Sequence, residues 1–153
     1  MKISIIGINP DELKSGKSLV EMGNEVIYVS KDYEHVNNIK QGYYTSSEKE
    51  ILSDIKKKEV IDFTTDFKEA LNGANMCFIS ESDGDDSSAL FRILANAKEV
   101  GANMSNHTFV VDRSSLPISR AEQIKETIQE ELDKRGASNL TFEVISDHRF
   151  LRA

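Results

Sequence analysis

Met1-Lys2-Ile3-Ser4-Ile5-Ile6-Gly7-Ile8-Asn9-Pro10-Asp11-Glu12 opens the chain, and its reading decides the fold. Five residues of strand character run into a glycine, and a helix start follows at once. Strand, glycine turn and helix in that order make the first unit of a parallel α/β sheet. In the dinucleotide-binding version the turn reads G-x-G-x-x-G. A pyrophosphate then rests against bare backbone N–H groups at the helix N-terminus. Here Gly7 keeps the first position, while Asn9 stands at the second and Glu12 at the third.

The altered turn is a good helix start in its own right. Asn9 is a preferred N-cap, Pro10 fits the first helical position, and Asp11 and Glu12 complement the macrodipole. Glu12 is spaced to complete a capping box with Asn9. These features occupy the donors a pyrophosphate would use, and Pro10 removes one N–H outright. A carboxylate about 5 Å from a phosphate charge repels it by roughly 3 kcal/mol at an effective dielectric near 20. The alternative keeps Asn9 left-handed, so that the turn survives with both acids facing solvent.

The remaining sequence repeats the alternation. Strands are expected at 2–6, 25–29, 60–63, 75–79, 107–112 and 141–146. Helices are expected at 10–22, 33–40, 48–57, 67–71, 87–100 and 118–135. Gly23, Gly73, Gly101 and Gly136 each follow a helical segment, where a left-handed C-cap favours glycine. Asp66 and Glu69 have capping-box spacing. Ala121, Ile124, Ile128 and Leu132 share one helical face, opposite Glu122, Glu126 and Glu130. The fold class is a doubly wound, Rossmann-like α/β domain over residues 1–153, with strand order 3-2-1-4-5-6.

Composition bounds the function. With 153 residues, 39% hydrophobic and 29% charged, the chain has the makeup of one soluble globular domain. A formal charge of −7 argues against nucleic acid and disfavours phosphate-bearing cofactors without local positive charge. No apolar run reaches the roughly 18–20 residues of a membrane span. The N-terminus enters a strand without a signal peptide's features, and Cys77 has no partner for a disulfide. A cytoplasmic location is the expectation.

Four further segments stand in order along the chain: Leu19-Val20-Glu21-Met22-Gly23-Asn24-Glu25-Val26, Asp62-Phe63-Thr64-Thr65-Asp66, Val110-Val111-Asp112-Arg113-Ser114-Ser115-Leu116-Pro117 and Phe150-Leu151-Arg152. In these segments the chain resembles the N-terminal domain of the UDP-glucose/GDP-mannose dehydrogenases, which oxidise a nucleotide sugar to its uronic acid with NAD. The resemblance runs along the whole chain and implies a cofactor site at Gly7, Ile8, Asn9, Ser30, Lys31 and Ser115. It implies substrate contacts at Phe150, Leu151 and Arg152. Most implied positions depart from the family's pattern. The ribose-binding acid falls on Ser30, a phosphate-meeting basic residue on His35, and a G-T-P turn on Ser82-Asp83-Gly84. A threonine falls on Ser115. N-P-E-F-L-R becomes Asp147-His148-Arg149-Phe150-Leu151-Arg152, with arginine in the place of glutamate. The family's thiol nucleophile and partner lysine belong to later segments of its longer chains, so no catalytic residue is assigned here.

Other features carry two readings each. Ser30-Lys31 suits a ribose 2′-phosphate or is a polar exit from a strand. Asp83, Asp85 and Asp86 lack the alternating pattern of a calcium loop and read as a solvated, helix-capping turn. Cys77, between Met76 and Phe78, reads as an apolar filler, and His35, His107 and His148 are too scattered for zinc. Ser114-Ser115 could bind a ligand or cap the next helix. His148, Arg149 and Arg152 could attract an anion or keep an edge strand soluble.

The expectation is a stand-alone, non-catalytic relative of these dehydrogenases, with weak or lost NAD binding, acting as a binding or interaction module. No cofactor and no metal are expected. A protein partner or homo-oligomer is open; nucleic acid and membrane are not expected. The alternative is an NAD(P)-binding subunit or fragment of a UDP-glucose 6-dehydrogenase-type oxidoreductase, or a design after one, with NAD as its cofactor.

Overall fold

Alternation along the first strand already divides the molecule into two apolar layers. In β1 (Lys2–Ile6) Ile3 and Ile5 enter one buried cluster and Ile6 enters the other. The computed structural model describes residues 1–53, 60–79, 86–113 and 119–145. The other strands are β2 (Glu25–Val29), β3 (Ile61–Thr64), β4 (Met76–Ile79), β5 (Thr108–Asp112) and β6 (Phe142–Ile145). All pair in parallel in one sheet of order β3-β2-β1-β4-β5-β6, as the sequence predicts. Ile3 is in register with both Val26 and Met76, which fixes β1 at the centre.

Helices α1 (Pro10–Glu21), α2 (Tyr33–Lys40) and α3 (Ser46–Leu52) cover the face bearing Ile3, Ile5, Tyr28 and Phe78. Helices α4 (Phe67–Leu71), α5 (Asp86–Asn103) and α6 (Ser119–Lys134) cover the face bearing Ile6, Val29, Cys77 and Val110. Ile124, Ile128 and Leu132 are fully buried on α6 and Glu122, Glu126 and Glu130 are exposed, as their spacing requires. Burying each such aliphatic side chain is worth about 1.5–3 kcal/mol. Among the described residues no helix is long and apolar enough to cross a membrane.

Three local expectations are corrected. Gly101 does not terminate α5, which continues to Asn103. A β-carbon there would stand 2.7 Å from the Ile128 carbonyl oxygen, so the glycine serves the approach of α6. Gly23, Gly73 and Gly136 do take positive φ. Asp66 caps α4 by accepting from the Lys68 N–H, but Glu69 accepts from the Thr64 hydroxyl at 2.9 Å instead of closing a box. Among the described residues a box forms at α3, between Thr45 and Glu48, and that helix begins at Ser46, two residues upstream of the expected start. Residues 54–57 of that expected helix lie outside the described ones.

Candidate nucleotide crevice

Strand order reverses between β1 and β4, and open α/β sheets place their ligand crevice at the carboxyl ends of such a pair. Gly7 leaves β1 with φ of +117°, a conformation open to glycine, and its N–H donates to the Val29 carbonyl at 2.9 Å. Ile8 is buried in the α1-side cluster. Asn9 then takes an extended conformation, φ −78° and ψ 169°, not the left-handed one weighed above. Its carbonyl accepts the first helical bond, from the Leu13 N–H at 3.0 Å.

The expected side-chain cap is not formed. Asn9 makes no capping hydrogen bond among the described residues, and its Oδ1 is buried without a hydrogen-bond partner there. Glu12 neither completes a box with Asn9 nor faces solvent. It is 3% exposed and folds back against Gly7, whereas Asp11 is exposed. A β-carbon on Gly7 would lie 3.3 Å from Glu12 Cγ and 3.6 Å from its Oε1. The extra acid therefore closes the turn from within, by placing a carboxylate on the glycine's bare face. Third-position glycine normally leaves that face open.

Beneath this carboxylate sits Tyr28, whose hydroxyl donates toward the Leu13 carbonyl at 3.0 Å and the Glu12 carbonyl at 3.2 Å. Burial, aided by the Glu12 charge and opposed by Arg113, pushes the Tyr28 phenol well above its ordinary pKa. Glu12 and Arg113 thus both act on one buried hydroxyl, with opposite sign. Arg113 follows β5; its N–H donates to the Ile79 carbonyl at 2.8 Å, and its Nη1 is buried without a hydrogen-bond partner among the described residues.

Outside Glu12 the crevice stays open. A cavity of about 360 Å³ is lined by Gly7, Asn9, Glu12, Ser30, Lys31, Phe67, Arg92 and Asn96, among others. Gly7, Asn9, Ser30 and Lys31 were marked from sequence, and the fold brings them to this one cavity. Ser30 Oγ accepts from the Asp32 N–H at 3.1 Å. Lys31 Nζ lies 3.0 Å from Glu99 Oε1 and 5.6 Å from the centre of the Phe67 ring. Lys31 and Arg92 bring positive charge to the cavity walls, and Glu12 on the lining and Glu99 beside Lys31 match it. Sequence reasoning missed Arg92, Asn96 and Glu99, although they recur at helical spacing on α5.

His35 does not face this cavity. Its Nε2 lies 2.6 Å from Glu48 Oε2, and Glu48 is 4% exposed. Cys77 is buried, and burial pushes its thiol up to about 12, which fits packing and not nucleophilic chemistry. Among the described residues no group of three or more His, Cys, Asp or Glu is placed to hold a metal. Ser115, Phe150, Leu151 and Arg152, together with residues 81–85 of the acidic loop and His148 and Arg149, lie outside the described residues.

Fold and strand order define a doubly wound α/β domain of Rossmann type. The chain matches the UDP-glucose/GDP-mannose dehydrogenase family, NAD binding domain, over residues 1–153, and belongs to that family. It is 31% identical over 158 residues to UDP-glucose 6-dehydrogenase of Pseudomonas aeruginosa, covering 99% of this chain and 35% of that one. It is 26% identical to UDP-glucose 6-dehydrogenase TuaD of Bacillus subtilis, covering 99% of this chain and 33% of the relative. Among solved structures, a UDP-glucose dehydrogenase from Pyrobaculum islandicum superposes with a TM-score of 0.77 at 21% identity, over 94% of this chain and 34% of that one. A GDP-mannose dehydrogenase ternary complex from Pseudomonas aeruginosa gives 0.76 at 22%, over 95% and 35%. The chain therefore spans about a third of the length of these relatives.

The fit to NAD is divided. The sheet, Gly7 and the cavity match the cofactor's general seat. At the helix start two residues differ from a bare glycine loop: Glu12 is buried against Gly7, and Pro10 has no N–H to offer.

Proposed function

We propose that residues 1–153 form one Rossmann-like domain, related to nucleotide-sugar dehydrogenases, that is non-catalytic and has lost tight NAD binding. It acts as a binding or interaction module in the cytoplasm, with a protein partner or a second copy. The observation that carries this reading is the Glu12 carboxylate folded onto Gly7. A dinucleotide would have to displace a buried acid or place its own charge beside it. Each 1.4 kcal/mol of that conflict is about tenfold in affinity. The test is thermal: millimolar NAD or NADH is expected to leave the melting temperature unchanged. A saturable rise of several degrees overturns the reading.

A second reading has a specific observation behind it, namely the open cavity with Lys31 and Arg92 on its walls. On this reading the chain is the NAD(P)-binding part of a UDP-glucose 6-dehydrogenase-type oxidoreductase, and the thiol and substrate contacts come from further segments or another chain. Hydride transfer to added NAD(P), by this chain combined with such a catalytic half, supports it. No transfer with a catalytic half that is competent with its own cofactor domain counts against it.

A further inference from the structure

The amino half of β3, the edge strand beside β2, borders a second cavity, away from the carboxyl-end crevice. Helix α2 packs against β3 and ends at Lys40, and the chain then turns tightly. Gly42, at φ +85°, donates its N–H to the Ile39 carbonyl at 3.0 Å, and the Tyr43 N–H donates to the Asn38 carbonyl at 2.8 Å. The Thr45–Glu48 box opens α3 directly afterwards. Tyr44 is thus pinned between a helix end and a helix start, on the wall of a cavity of about 190 Å³. The floor is apolar: Ile39, Leu52 and Phe63 are buried members of the α1-side cluster, and Ile61 packs against it. Phe63 stacks on Tyr28 with 5.1 Å between ring centres, and Tyr28 is not on the cavity wall, so another side of the Phe63 ring faces the cavity.

Two opposite charges, Lys40 and Asp62, also line this cavity, both exposed. Among the described residues they form no ion pair with each other, and neither the Lys40 ammonium nor the Tyr44 hydroxyl has a hydrogen-bond partner. Asp62 Oδ1 accepts from the Phe63 N–H at 2.8 Å, which orients the carboxylate. An aromatic acid would be drawn to Lys40 and repelled by Asp62, and an aromatic amine the reverse. A ligand with both charges satisfies both, and the small volume limits its apolar part to a single ring. We propose that this cavity binds a free aromatic α-amino acid, with its ring against Phe63 and Tyr44, its carboxylate on Lys40 and its ammonium on Asp62. The site is separate from the crevice and holds whether or not the crevice takes NAD. Ion pairs at an exposed rim contribute little each, so ring burial supplies the affinity and the two charges set the selection.

NMR titration of the full chain with L-phenylalanine, 3-phenylpropionate, phenethylamine and L-alanine tests the proposal. L-Phenylalanine is expected to bind saturably with a Kd on the order of 0.1–1 mM, shifting the amides of Lys40, Tyr44, Asp62 and Phe63. The acid lacks the ammonium and the amine lacks the carboxylate, so each should bind at least about fivefold more weakly. L-Alanine, without the ring, should bind at least about tenfold more weakly. Lys40→Gln should weaken L-phenylalanine about fivefold without weakening phenethylamine. Asp62→Asn should weaken L-phenylalanine by about the same factor without weakening 3-phenylpropionate. A merely structural role for these two side chains would not produce that crossed pattern. The analogue series needs only the parent chain, so it decides even if a variant fails to fold. No saturable shift with L-phenylalanine, or either analogue or L-alanine binding equally well, overturns the proposal. So do shifts centred on Gly7 and Ser30, or a Lys40→Gln chain that loses both L-phenylalanine and phenethylamine.

Discussion

Glu12 lies against Gly7, with its Cγ 3.3 Å and its Oε1 3.6 Å from the place a β-carbon on Gly7 would take. Five positions separate them in sequence, and the helix start folds the acid back onto the strand's end. Of the two acids in this turn Asp11 is exposed and Glu12 is buried, so they should respond differently.

Replacing Glu12 by Gly, with Asn9→Gly to reopen the second position, should raise NAD affinity by tenfold or more. The removed repulsion is roughly 3 kcal/mol for a carboxylate about 5 Å from a phosphate at an effective dielectric near 20. Asp11→Asn should change it by less than about threefold, since an exposed charge is screened. Calorimetric titration of the parent and both variants checks the pair. A gain in D11N equal to that in the glycine variant would show that net charge, and not the occupied seat, is what matters.

Gly101 marks a close helix contact on the opposite face. An added methyl would meet the Ile128 carbonyl at 2.7 Å and Glu131 Cβ at 2.9 Å, both on the rigid side of α6. Gly101→Ala should therefore destabilise the fold by about 1–3 kcal/mol, although alanine is the better helix former. Urea unfolding measures this. A stabilised variant would mean that α5 and α6 separate freely.

Sheet order was legible in the sequence, because period-two and period-3.6 patterns alternate along it, whereas Gly7, Asn9, Ser30 and Lys31 were named from the turn motif and the family resemblance and stand together on one cavity. The fate of Glu12 was not legible. A carboxylate at the third helical position can cap, point outward or fold under, and only the three-dimensional space beside Gly7 decides among them. Gly101 misled for a related reason: a glycine near a helix end reads as a cap, and the approach of α6 is invisible in one segment. Arg92, Asn96 and Glu99 had the right spacing, but nothing in α5 alone says which face meets β2.

Alkaline pH should weaken the fold through two buried acids. Cys77 is raised from 9.0 to about 12 and the Tyr28 phenol is raised as well, so both stay protonated in the folded chain while the unfolded chain ionises. Unfolded molecules then bind fewer protons, and stability falls as pH rises. For Cys77 the loss begins near pH 9 and runs toward pH 12, at about 1.4 kcal/mol per pH unit. Cys77→Ala should flatten the fall between about pH 9 and 10, leaving the part due to Tyr28 above its ordinary pKa. Unfolding free energies at several pH values test it; identical slopes in parent and variant would remove Cys77 from the account.

Glu48 joins two helix starts. Its Oε1 accepts from the Thr45 N–H at 3.0 Å, its backbone N–H donates to Thr45 Oγ1 at 3.2 Å, and its Oε2 lies 2.6 Å from His35 Nε2. Thr45→Ala removes only the cap and should cost about 1 kcal/mol. Glu48→Ala removes the reciprocal bond and the His35 contact together from a buried position, so about 2–3 kcal/mol is expected. Glu48→Gln keeps an acceptor for Thr45 and should fall between the two. His35 is the position at which the family resemblance implied a phosphate-meeting basic residue. Breaking its tie to Glu48 should therefore destabilise α2 and α3 without raising NAD affinity, because Glu12 still closes the turn. Urea unfolding and calorimetry on E48A give both quantities; a gain in NAD binding would shift the blockade from Glu12 to His35.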